Sequence, residues 1–238
     1  MLPLLAALSL GWWWMTVMAQ DMYGPMRGAA AWMMTSDWDT RHLLLLWTMW
    51  AVMMACMMLP TAAPMLFLYA IAMHKQQRGG VVASYLFALG YLTVWSAFSL
   101  GATILQRLLG GFLLLTPMLE PTNIVLPVTL LVLAGIYQLT PMKYACLESC
   151  RSPVDFLTEH WRDGRGGAFR MGLEHGTFCL GCCWALMLLL FAGGVMNLNV
   201  VLALSLLVLV EKVTPYGPVV GRYAGVGFFG LAVWSMVG

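Results

Sequence analysis

The run Glu174-His175-Gly176-Thr177-Phe178-Cys179-Leu180-Gly181-Cys182-Cys183 sets an imidazole and three thiols close together in an apolar stretch. At about 100° per residue, His175, Cys179, Cys182 and Cys183 fall within an arc of roughly 100° on a helix, so they share one face. His175 and Cys179 stand one turn apart and can chelate one ion. Cys183 lies about 12 Å further along the axis than His175, so one straight helix cannot bring both to a single metal. Partners must come from elsewhere, or two sites lie in series. A lone buried cysteine is ordinarily a small hydrophobe. Three thiols and an ionisable side chain on one face of a membrane helix point instead to metal or redox chemistry. Glu174 points off that face and is expected to pair with Arg170.

Two further groups could join. Cys146 and Cys150 have the i,i+4 spacing of a shared helical ligand pair, and a stable disulfide is not expected between them in a reducing cytoplasm. Met49, Met53 and Met57 repeat at i,i+4, with Cys56 and Pro60 adjoining the stripe. A thioether is a neutral, soft ligand that suits Cu(I) or Ag(I) and not hard cations. Methionine is also ordinary packing filler. The further methionines Met22, Met26, Met33 and Met34 make a soft-metal route to the thiols more coherent. Thiol-rich sites favour Cu(I), zinc or iron–sulfur centres. Neither a zinc-ribbon nor a ferredoxin spacing is present, so copper is favoured, as Cu(I). Cys56 and Cys183 both fall near mid-membrane, so the two could approach each other. The Glu211-Lys212 dipeptide reads as an interfacial ion pair, and Tyr137 and Gln138 as polar contacts inside a bundle. The chain shows no Ser–His–Asp arrangement and no paired haem histidines.

The elements that must position these groups are membrane helices. Of the 238 residues, 61% are hydrophobic and 9% charged. A soluble domain carries about 25% charged residues, so these charges cannot cover a globular surface in water. A net charge of +2 with no basic run argues against nucleic acid. Glycine-rich phosphate loops are absent. A bilayer core needs about 20 apolar residues per helix. Seven candidate segments appear, at 2–19, 43–73, 81–105, 124–139, 171–191, 198–210 and 219–237. The second contains Pro60 and Pro64, which should kink it. Val17-Met18-Ala19 resembles a signal-peptidase site, but no basic n-region precedes it, so the first segment is expected to be retained. Residues 140–169 read as a short amphipathic helix on the membrane surface, broken by Gly164, Gly166 and Gly167. With a cytoplasmic N-terminus, nine of the twelve Lys and Arg fall inside. That bias predicts N-in and C-out. The fold expected is all-α: a single transmembrane domain over 1–238, a polytopic bundle of about seven helices in lipid.

Several stretches carry a family resemblance. They are Met57-Met58-Leu59-Pro60-Thr61-Ala62-Ala63-Pro64-Met65, the run from Tyr137 through Cys146 and Cys150 to Pro153, and the run from Gly172 through His175, Cys179, Cys182 and Cys183 to Trp184. The later Gly194-Val195-Met196-Asn197 and Glu211-Lys212 match as well. Over residues 47–215 the chain resembles a bacterial family of predicted metal-binding integral membrane proteins, sometimes labelled copper chaperones. The resemblance implies a multi-pass protein of the bacterial inner membrane. It also implies a second small protein as partner. Three functions are compatible with this reading: Cu(I) delivery to a partner, a subunit of a copper-dependent membrane oxidoreductase acting on a hydrophobic substrate, or a structural subunit of a larger complex.

Overall fold

The computed structural model describes residues 2–23, 39–75, 80–116 and 119–237. Within them the protein is all-helical. In chain order the helices are α1 (Leu2–Tyr23), α2 (Thr40–Lys75), α3 (Gly80–Gly111), α4 (Val125–Gln138), α5 (Pro141–Arg151), α6 (Pro153–Glu159), α7 (Gly164–Leu188), α8 (Leu190–Gly193), α9 (Leu198–Val213) and α10 (Gly217–Val237).

Among the described residues, four helical stretches are long and apolar enough to cross a membrane: Thr40–His74, Gly80–Gly111, Gly164–Gly193 and Gly217–Val237. A fifth arises if α4 and α5, bent by 67° at their junction, form one broken span. Helix α9 has 16 residues, about 24 Å, short of the roughly 30 Å hydrocarbon core. Large apolar side chains stay exposed along α3 (Leu89, Leu100, Ile104) and α10 (Val226, Val233, Trp234). Such a face suits lipid and not water.

Small residues let the helices approach. A Cβ on Gly90 of α3 would run into the Phe169 carbonyl, and one on Gly172 of α7 into the Phe87 carbonyl. Gly176, one turn beyond Gly172, meets Val94 in the same seam. The Gly221–Gly225 pair marks a second close crossing, as its spacing suggests. A Cβ on Gly225 would lie 2.9 Å from Gln138 Cβ and 3.2 Å from the Gly135 carbonyl of α4.

The expected surface segment 140–169 is not a single surface helix. Thr140 caps α5, its hydroxyl accepting from the Lys143 amide at 3.4 Å, and Pro141 occupies the first turn. Proline fits there because that amide has no helical partner in any case. Helix α5 packs against α7 and buries Lys143 and Leu147. Only Gly164, with φ +81°, acts as a break. Gly166 and Gly167 lie inside α7, so the end of the segment belongs to the first turns of a long helix. Helix α2 runs unbroken through Pro60 and Pro64.

Candidate functional site

Five helices converge on Cys179 in α7. Its Sγ accepts from the Lys212 ammonium of α9 at 2.8 Å and stands 3.0 Å from the Tyr91 hydroxyl of α3. The Tyr91 hydroxyl is also 3.2 Å from the Met58 carbonyl of α2. Cys182 and Cys183 each bond back to the Cys179 carbonyl, at 3.1 and 2.9 Å. Cys183 Sγ lies 3.9 Å from the Met58 thioether. From α5, the half-buried Cys150 thiol lies against those of Cys179 and Cys182, and Cys146 sits beside Cys182. Cys146 Sγ also packs on Gly181, where an added Cβ would come within 2.7 Å.

His175, Cys179, Cys182 and Cys183 are all buried, as their shared face requires. His175 sits one turn from Cys179 among the rings of Phe156 at 5.3 Å, Tyr91 at 5.8 Å and Phe87 at 6.0 Å. Its Nδ1 has no hydrogen-bond partner. Glu174 turns away from the thiols to Arg162 at 2.7 Å and Arg170 at 3.5 Å.

The methionine stripe is buried as a unit. Met49, Met53, Met54, Met57 and Met58 join Met15 and Met18 of α1, and Met187 and Met196, in the same apolar core as the cysteines. Met26, Met33 and Met34 lie outside the described residues. Cys56 faces α1. Its Sγ lies over Gly11 of α1, in the space a Cβ there would fill. The neighbour of Cys183 is Met58, two residues on and about 200° further round the helix.

The sequence offers no sign of Tyr91, and it marks Met58 and Lys212 only as family-matching positions, with Lys212 as half of an interfacial ion pair. Glu211 and Lys212 do not pair with each other. Adjacent helical positions diverge by about 100°, so Lys212 meets Cys179 while Glu211 accepts from Lys143 at 2.6 Å and from Gln138 at 2.7 Å. Gln138 Oε1 also accepts from the Lys143 ammonium, and the Tyr137 hydroxyl donates to the Gly181 carbonyl. Both side chains do make the internal polar contacts expected of them.

Among the described residues, no three His, Cys, Asp or Glu side chains are disposed to hold one metal ion. The thiols are gathered but turned onto Lys212, Tyr91 and the α7 backbone. The donor set itself is soft: thiols and a thioether, with no carboxylate. That chemistry fits a monovalent d10 ion of low coordination number and does not fit hard cations.

Fold and site together define a helical protein with the features of a membrane protein and an interior of clustered thiols and thioethers. The chain belongs to the PpoB2 family, described as copper chaperone, whose model matches residues 47–235. No curated protein and no solved structure matches it.

Proposed function

We propose that the chain binds Cu(I) as cargo inside the bilayer and hands it to a partner protein. The observation that carries this reading is the clustering of buried Cys179, Cys182 and Cys183 with the Met58 thioether, 3.9 Å from Cys183 Sγ, and with half-buried Cys150 beside them. The family description supports a copper-related role. The copper ion is the transferred substrate. Met49, Met53 and Met57 form a thioether relay that carries it along α2, neutral donors being cheap to bury in lipid. It then passes to Met58 and Cys183 and is captured by two thiolates. Two thiolates and Cu(I) carry a net charge of −1, which the Lys212 ammonium neutralises. Neutrality matters where the dielectric is low, because an uncompensated buried charge costs several kcal/mol.

The architecture that goes with this function is one transmembrane domain over residues 1–238 with seven crossings. Helices α1 and α9 and the bent α4–α5 pair join the four long spans. The N-terminus lies in the cytoplasm of a bacterium, the chain sits in its inner membrane, and a second subunit receives the copper.

Metal analysis of the purified protein under reducing conditions tests the proposal. Wild type should hold about one copper per chain, and Cys179→Ser and Cys183→Ser should each lose it while eluting as folded protein. Wild type that elutes free of copper after loading with Cu(I) overturns the reading. So do serine variants that retain it.

A further inference from the structure

Helix α7 has a second functional face. Glu174, Thr177, Phe178, Gly181 and Trp184 follow i, i+3/i+4 spacing on the side away from Cys179. They line an open cavity of about 890 Å³, walled also by Phe98 of α3, His160 and Arg162 before α7, and Met142 and Cys146 of α5. That volume is within the range of small-molecule sites, which lies at about 300–1,000 Å³. The walls are mainly apolar and aromatic. Trp184 packs edge-on against Tyr137 at 5.0 Å, and His160 stacks on Phe156 at 4.7 Å and 11°, so both planes are fixed.

Polar groups gather in the same cavity. His160 Nδ1, Arg162 Nε and Glu174 Oε2 are each buried without a hydrogen-bond partner, and all three residues line it. Arg162 and Glu174 already pair through Nη2 and Oε1 at 2.7 Å, their side chains 38% and 24% exposed, so the spare atoms of that pair and His160 Nδ1 give the cavity a polar edge that a ligand can meet. Arg162 offers a donor and Glu174 an acceptor. A phenolic hydroxyl satisfies both through one oxygen. A phosphate only accepts, and the Glu174 carboxylate repels it. The aromatic walls favour a flat ring.

We infer that this cavity binds a membrane-soluble hydroxylated aromatic, a hydroquinone-type ring with an apolar tail. Its α7 residues lie on the opposite face from Cys179, and Cys146 of α5 is the one thiol that also lines it. Phe98, Phe178 and Trp184 hold the ring; Arg162, Glu174 and His160 hold its hydroxyls.

Equilibrium dialysis of the detergent-solubilised full chain tests this with a short-chain alkyl hydroquinone, its dimethyl ether and phosphatidylglycerol. The hydroquinone should saturate at about one per chain, and the ether should bind at least about tenfold more weakly, the size of a lost charge-assisted hydrogen bond. Phosphatidylglycerol should not displace it. Glu174→Ala and His160→Leu should weaken the hydroquinone by about tenfold or more and leave the ether unchanged, and Thr177→Trp should exclude both by filling the cavity. Wild type that binds the ether as well as the hydroquinone, or yields the site to phosphatidylglycerol, or shows no saturable binding, overturns the proposal without reference to any variant's folding. Copper loading is measured alongside, and its loss or retention bears on the thiol cluster alone.

Discussion

Lys212 is the cation of the thiol cluster, and its neighbour Glu211 belongs to a different network. Lys212→Met removes the ammonium that contacts Cys179 at 2.8 Å and would leave the proposed bis-thiolate copper complex uncompensated. Cu(I) affinity, read by competition with a chromophoric chelator, should fall by at least about tenfold, equivalent to about 1.4 kcal/mol. Unchanged affinity would remove Lys212 from the site. At Lys143 and Glu211 the side chains are 0% and 2% exposed. Breaking such a pair from one side costs about 3–5 kcal/mol, whereas replacing both partners by apolar residues costs far less. Lys143→Met alone should therefore lower the unfolding midpoint in a denaturing-detergent titration more than Lys143→Met combined with Glu211→Leu. The thiol and imidazole face was legible in the sequence because positions 175 to 183 are read along one helix. The Lys212 and Tyr91 partners of Cys179 were not, since they come from 33 and 88 residues away, and no local period encodes which helix lands opposite.

At the scale of elements, the crossing of α3 over α7 holds Tyr91 against Cys179, and glycine permits it. Gly172→Ala puts a methyl group against the Phe87 carbonyl and should destabilise by about 1–3 kcal/mol, the usual penalty of overpacking. Gly101→Ala on α3 meets nothing within 4 Å. It should be neutral or stabilising by up to about 1 kcal/mol through helix propensity. Thermal unfolding of the two variants in the same detergent compares them directly. The apolar runs of α2, α3, α7 and α10 were readable from composition alone. Helix α5 keeps one face exposed and turns Lys143 inward to Glu211, a pairing that its own sequence cannot show because the partner lies 68 residues on. The GxxxG spacing of α10 does fall at a close crossing with α4, since close approach is a local property of glycine.

For the molecule as a whole, burial sets the order in which its thiols react. Cys56, Cys179, Cys182 and Cys183 are buried, while Cys146 and Cys150 are partly open. Mass-spectrometric mapping of maleimide labelling should find Cys146 and Cys150 modified first in the folded protein, and the other four only after unfolding. Ag(I), a soft stand-in for Cu(I), should stabilise the fold by about 2.7 kcal/mol at a hundredfold excess over its dissociation constant, read as a raised unfolding temperature. Cys179→Ser should abolish that rise. The Lys143–Glu211 pair bears on how the protein is made. The partners are 68 residues apart, so α5 leaves the ribosome and meets the membrane well before α9 exists. Until α9 arrives, Lys143 has no counter-charge and α5 cannot settle into its final seat.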